Sequence, residues 1–296
     1  MCPGFLRHGE ILKPRTRTEA MATPAICSTV PLTSGCGITR TRTAHPVPAL
    51  GMDQDDRAAR EAPAMAADCS ICTARSTCLI TPCLDGAISP DSSFLKRQLF
   101  ARGEHIYREG DAPARVYVVQ SGMVKSYMTS MNGNEHVITF DMQGNLLGLD
   151  GLTGEVHTSS AVALETVSLC GISIGRMETL GNRFPLWQFN LLASELVRGH
   201  STLLILGRKD AQARLAAFLL DLSGRFRVRG QSPQEFNLSM SRQDIGNHLG
   251  MTIETVCRAL TYLRKTRLID IDYRRVLIRD FDRLRALAGT RHVPRC

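Results

Sequence analysis

Three thiols lie within ten positions of one another, as Cys69-x-x-Cys72-x5-Cys78. Thiolates are soft ligands that suit Zn²⁺ or the iron of an iron–sulfur cluster. Three sulfurs call for a fourth ligand. Cys83 is near in sequence, and Cys170 is distant, inside the strand-like run Val167–Ile172. A structural zinc usually takes two close pairs, and one C-x-x-C pair is present. Spacing alone therefore leaves zinc, a cluster and non-binding cysteines level, and Cys170 reads by itself as a buried strand residue. Cys2, Cys27 and Cys36 stand at no metal-like spacing. The apolar region of an export signal is missing from the N-terminus, so ten cysteines in 296 residues do not suggest a disulfide scaffold.

A second constellation lies near the C-terminus. Ser241-Arg-Gln-Asp244 has the form of a capping box, with a carboxylate three residues after the capping serine. The helix it opens turns Ile245 and Leu249 inward, with Gly246 small where a second helix would cross. Gly250 supplies a tight turn and Thr252 caps the next helix. On that helix Ile253, Val256, Leu260 and Leu263 form an apolar face, and Glu254, Cys257, Arg258 and Thr261 the opposite one. Two short helices about a glycine turn make a helix-turn-helix, whose second helix enters the major groove. Arg258 suits the O6 and N7 acceptors of guanine, and Glu254 can accept from a cytosine amine. Strand-like runs at 268–272 and 276–279 flank Tyr273-Arg274-Arg275, a winged hairpin with arginines placed for phosphates. Arg242, in the first turn of the leading helix, joins this DNA-facing set.

The elements that must carry these residues follow from composition. From 207 to 296 there are 18 Lys+Arg against 9 Asp+Glu, whereas the rest of the chain is near neutral, so the basic excess marks a polyanion-binding end. Residues 1–66 have no sustained periodicity and read as a disordered extension, with Met21, Met52 and Met65 as alternative starts. From about 98 to 174, runs such as Val116–Gln120, Met123–Tyr127 and His136–Phe140 alternate with glycines every ten residues or so, which predicts an antiparallel sandwich or barrel. Pro185 opens a long helix with Phe189, Leu192, Leu196, Leu203 and Leu206 on a rough heptad seam, suited to a second copy or to its own barrel. A further amphipathic helix spans about 211–225, followed by a loop at 230–233. A membrane-spanning apolar run, a nucleophile–base pair and a phosphate-binding loop are all missing, which predicts a cytoplasmic protein that is not an enzyme.

From Cys69 to about Gly289 the chain resembles the CRP/FNR family of bacterial transcription regulators. The resemblance rests on Gly103-Glu-His-Ile-Tyr-Arg-Glu-Gly through Gly122 and on Ser241 through Arg258. It implies an α+β chain: a cysteine-rich segment with a cyclic-nucleotide-binding-like β-roll (67–184), a dimerisation helix (185–210) and a winged helix-turn-helix (211–296). Within the family it is similar to the oxygen-sensing FNR branch, whose three N-terminal cysteines and one β-roll cysteine hold a [4Fe–4S] cluster. The resemblance thus implies Cys69, Cys72, Cys78 and Cys170 as ligands and leaves Cys83 spare. It implies a homodimer that senses oxygen or nitric oxide, binds a palindrome of TTGAT-type half-sites while the cluster is intact, and meets RNA polymerase, with the loop 141–145 as a contact. Positions that hold a cyclic-nucleotide phosphate in the sister branch are Leu149, Ser159 and Ser160, with no arginine to pair the charge. A zinc or dithiol switch, or a small-molecule-responsive roll, are the alternatives. The family's Glu-x-x-Ser-Arg reading motif is Glu254-x-x-Cys257-Arg258 here, which opens the preference at the base facing Cys257.

Overall fold

A computed structural model of the chain describes residues 65–66, 69, 71–78, 80, 95–175 and 185–289. Cys83, Arg176 and the predicted extension up to residue 64 lie outside them. The alternating runs form strands β1 (Met65–Ala66), β2 (Lys96–Phe100), β3 (His105–Tyr107), β4 (Arg115–Ser121), β5 (Met123–Thr129), β6 (Glu135–Met142), β7 (Leu146–Leu147), β8 (Ser160–Ala163) and β9 (Val167–Ser173). They build two antiparallel sheets, ordered β1-β2-β9-β4-β7 and β3-β8-β5-β6. The end of the predicted extension, Met65–Ala66, is thus a strand paired with β2.

Side chains on successive strand residues point to opposite faces. Val119, Val124, Ala161, Val167 and Leu169 fill the interior of the sandwich. The alternate residues Val116, Val118, Cys170 and Ile172 form the outer face of the five-stranded sheet and pack with Ile80 and Leu191. Cross-strand register fixes that set, because Cys170 stands opposite Val118 and Ile172 opposite Val116. A slip of one residue would turn Cys170 into the sandwich.

Helix α1 (Pro185–Leu206) leaves the roll, and α2 (Ala211–Val228) follows and runs three residues beyond its predicted end. The helix-turn-helix consists of α3 (Arg242–Leu249) and α4 (Ile253–Lys265). The wing is a sheet of three strands, β10 (Glu235–Asn237), β11 (Ile269–Asp272) and β12 (Arg275–Ile278), in the order β10-β12-β11. Strand β10 and a last helix, α5 (Phe281–Ala288), were not anticipated from the sequence. Leu215, Phe218, Leu219 and Leu222 of α2 are buried among Ile245, Leu249, Val256, Leu260 and Leu263, as their spacing predicted. Among the described residues no helix is long and apolar enough to cross a membrane.

Candidate functional site

The residues singled out from the sequence fall in three parts of the molecule: the cysteine segment with Cys170, the outward face of α1 and the winged helix-turn-helix. The cysteine segment is a series of tight turns. Arg75 N–H donates to the Cys72 carbonyl at 3.1 Å, and Thr77 and Cys78 N–H donate to the Ala74 carbonyl at 3.0 and 2.8 Å. The Arg75 guanidinium reaches back to the Cys69 carbonyl at 3.0 Å. Ala74 and Ile80 are fully buried beneath these turns. Cys69 and Cys78 pack against the same apolar group that contains Cys170 and Leu191. Gln120 on β4 donates its amide to the Cys72 sulfur at 3.7 Å and accepts from the Ser168 hydroxyl at 2.6 Å.

Cys170 is 9% exposed. Burial pushes its thiol up to about 12, and the charges of Cys72, Cys69 and Cys78 add to the shift while Arg97 opposes it. The four residues separated by up to a hundred positions therefore share one electrostatic neighbourhood. A buried thiol under that pressure ionises when positive charge arrives, which iron or another thiophilic cation brings. Cys72, Cys78, Cys170 and Cys257 are free thiols. Among the described residues, no three His, Cys, Asp or Glu side chains are gathered tightly enough to hold a single metal ion. Sulfurs around one zinc, with bonds of ~2.3 Å, must sit within about 4 Å of each other.

Gly144, in the turn between β6 and β7, carries the segment from below. Its φ is +88°, and an added Cβ would lie 2.4 Å from the Thr77 carbonyl oxygen. Gly144→Ala is expected to cost ~1–3 kcal/mol and to push the segment away. Gly133→Ala has a similar φ of +81° but open space around it. Thermal unfolding of the two variants side by side separates the contact from the backbone strain, and equal losses would show that the segment does not bear on Gly144.

All five predicted seam residues of α1 face outward, from Phe189 at 69% and Leu196 at 63% exposed to Leu206 at 38%. Val197 and Leu204, not singled out from the sequence, widen the patch. Leu191 and Ile205 turn inward instead. Arg198 anchors the middle of the helix to the roll through the buried carboxylate of Asp141, and Glu195, one turn earlier on the same helix, holds its guanidinium. The loop at 141–145, expected to meet RNA polymerase, faces α2 in this structure. Arg229 Nε donates to the Gln143 carbonyl at 2.6 Å, and Arg225 donates to the Phe140 carbonyl and, at 3.1 Å, to Asn145.

In the helix-turn-helix, Ser241 and Asp244 form the reciprocal capping box and Thr252 caps α4. Gly250 ends α3 at φ +63°, and Arg214 of α2 holds the turn by donating to the Leu249 carbonyl at 2.8 Å. Glu254, Arg258 and Thr261 are exposed and Cys257 half-buried along one side of α4. Arg258 Nη2 donates to the Thr255 hydroxyl at 3.2 Å, and Arg242 Nη1 approaches the Cys257 sulfur at 3.6 Å. Its own backbone N–H and the Thr252 hydroxyl hold the Glu254 carboxyl below the usual range. Ile253, expected inward, is 37% exposed, because it is the first residue of the helix and precedes the turn that packs.

The wing corrects the sequence reading in detail. Tyr273 with φ +49° is at the tip. Arg275 opens β12 and pairs with Glu235 of β10 at 2.6 Å, and Arg274 reaches back to the Ser239 carbonyl at 3.2 Å. Both arginines are engaged, Arg275 with β10 and Arg274 with the segment that follows it, beyond the expected loop at 230–233.

Asp150 follows Leu149 in the roll. Its carboxylate accepts from the Thr158 N–H at 2.9 Å, the Ser159 N–H at 3.2 Å and hydroxyl at 3.1 Å, and His157 Nδ1 at 3.1 Å. The donors around Ser159 are thus turned toward an internal anion. Arg115, passed over in the sequence, lines a neighbouring cavity of about 390 Å³ with Tyr107, Asp111, Tyr117 and His157.

Residues 213–287 match the Crp-like helix-turn-helix domain family and residues 97–183 the cyclic nucleotide-binding domain family. The chain is 36% identical over 202 residues to the fumarate and nitrate reduction regulatory protein of Vibrio cholerae, covering 67% of this chain and 81% of that one. It is 37% identical over 227 residues to the transcriptional activator protein Anr of Pseudomonas protegens, covering 75% and 93% respectively. The structure of FixK2 from Bradyrhizobium japonicum superposes with a TM-score of 0.61 at 29% identity, over 67% of this chain and 99% of that one.

Proposed function

The chain belongs to the CRP/FNR family of DNA-binding transcription regulators, and on that premise we propose that it senses oxygen or nitric oxide through a [4Fe–4S] cluster held by Cys69, Cys72, Cys78 and Cys170. The observation that carries the reading is the shared electrostatic neighbourhood of those four residues, three of which, Cys69, Cys78 and Cys170, pack on the apolar face that also takes Leu191 of α1. The donor set fits the group in its chemistry: four thiol-bearing residues, half-buried to buried. A cluster held there would supply iron–sulfide bonds open to attack by oxygen and nitric oxide.

The chain's own residues turn the state of that site into DNA affinity. Cys170 fixes one end on β9, and the segment 71–80 lays Ile80 against Leu191. The base of α1 is thereby held, and its outward leucines present one continuous face to a second copy. Release of the segment loosens Leu191 and shifts the balance toward monomer. In the dimer, two α4 helices reach half-sites one turn apart, ~34 Å. Glu254 and Arg258 read a TTGAT-type half-site, and Arg242, Cys257, Thr261, Arg274 and Arg275 are the other residues of the DNA-facing set. RNA polymerase is the expected partner of the bound dimer.

The test starts from protein purified without oxygen, whose visible absorption, iron and acid-labile sulfide are recorded before exposure to air. The expected result is about four irons and four sulfides per chain, followed in air by loss of dimer and of operator retention. A colourless, iron-free protein that holds the operator equally in both conditions overturns the reading. Zinc without sulfide would instead select the structural-metal alternative. The internal carboxylate of Asp150 weighs against a cyclic nucleotide as the signal.

Arg258→Ala is expected to cost ~1–3 kcal/mol per half-site and to relax the preference at one base pair. The slope of log K against log salt should change by no more than about one, because a base contact and not a phosphate contact is lost. Binding titrations on wild-type and base-substituted operators check both.

A further inference from the structure

The outward face of the four-stranded sheet is a docking surface for the DNA-binding end. Met123, Lys125 and Tyr127 of β5 stand opposite Met142, Phe140 and Val137 of β6. Five of these six side chains are apolar and share one buried core with Phe218 of α2 and Ile245 and Leu249 of α3. The Phe140 and His248 rings meet edge to face, Phe218 is tilted against His248, and His248 Nδ1 donates to the Val137 carbonyl at 3.1 Å. Roll and helix-turn-helix are therefore one packed body.

The sixth side chain is Lys125, 8% exposed in the middle of this apolar face. Its ammonium donates to Glu135 at 2.6 Å, on its own sheet, and to Asp244 at 2.9 Å, across the junction. Asp244 is the carboxylate of the capping box that starts α3. A buried ion pair adds little net stability, because desolvation offsets its attraction. It discriminates between arrangements, since any other seating of α3 leaves an ammonium stranded among apolar groups. A methionine at the same place would tolerate sliding, although it leaves the Asp244 and Glu135 carboxylates without their ammonium.

We propose that Lys125 is a positioning residue that pins α3 in one register on the roll and so sets the spacing of the two reading helices in the dimer. The inference rests on the dimeric DNA-reading function above. One base pair inserted between half-sites moves them by 3.4 Å and turns them by about 35°. A pinned domain cannot follow that change, and an unpinned one can.

Lys125→Met in the full chain, purified without oxygen, is the test. Operators with the natural spacing and with two added central base pairs are compared. Wild type should lose more than about 100-fold in affinity on the insertion, and Lys125→Met less than about tenfold, with single half-site affinity unchanged. A second measurement needs no DNA: hydrogen exchange at the backbone amides of 245–249 should quicken in the variant. Wild-type spacing discrimination or wild-type exchange in Lys125→Met overturns the proposal. Should wild type bind no operator, the DNA-reading premise fails on its own, and the exchange measurement alone then decides the pin.

Discussion

Cys170→Ala protein purified without oxygen will contain no iron and no acid-labile sulfide, and will behave in every condition as the wild type does in air. The expectation follows from where Cys170 stands. It is the one proposed ligand on a strand, flanked by β2 and β4 through the register Arg97 and Val118. The other three lie on turns that hold themselves together mostly by local hydrogen bonds. Without the strand sulfur, the segment has no covalent tie to the roll through any bound group. Removal of an outer partner of a metal ligand costs ~10–100-fold in metal affinity, and removal of the ligand itself should exceed that. Gln120→Ala, which strips the amide from the Cys72 sulfur, should show that smaller loss. Iron and sulfide assays with operator titration read both effects. Full iron and sulfide in Cys170→Ala would hand the fourth position to another group, with Cys83 first in line.

Leu196→Glu will be a monomer with or without oxygen. Leu196 is midway along α1 and 63% exposed, so the substitution strains nothing within one chain. In a dimer it buries two carboxylates face to face in an apolar seam, and neither finds a partner. Loss of the second subunit removes half of the phosphate contacts, so the slope of log K against log salt should fall by about half. Affinity for the full palindrome should fall by ~10³-fold or more, toward the non-specific range. Sedimentation velocity and titration at several salt concentrations check the two halves of the statement. A variant that sediments as a dimer would move the interface off this face of α1.

Both predictions use residues legible in the sequence. The capping box, the glycine turn and the apolar stripe of α4 are local patterns, and a local pattern is enough to make two short helices and their turn. Strand alternation placed β4, β5, β6 and β9 within a residue or two for the same reason. Residues with longer-range partners were less accessible. Strand β10 has three residues and an ordinary composition, and it exists because β12 offers it an edge. Its presence engages Arg275, which the hairpin pattern alone had left free at the tip. Leu191 looked like any leucine beside a seam, and its partners Ile80 and Cys170 come from other parts of the chain. Lys125 did leave a signal, a lysine in the position between Met123 and Tyr127 where the alternation calls for an apolar side chain.

The sequence by itself determined the helix-turn-helix, its capping residues and reading face, the β-rich roll and the seam of α1, because each depends on residues within a turn or a strand of one another. Tertiary structure alone decided that Leu191 packs on one apolar face with Cys170, Cys69 and Cys78, and that an ion pair crosses from roll to reading domain. Those are contacts between residues separated by up to about 120 positions, and their formation depends on sheet register and packing, which no local pattern encodes.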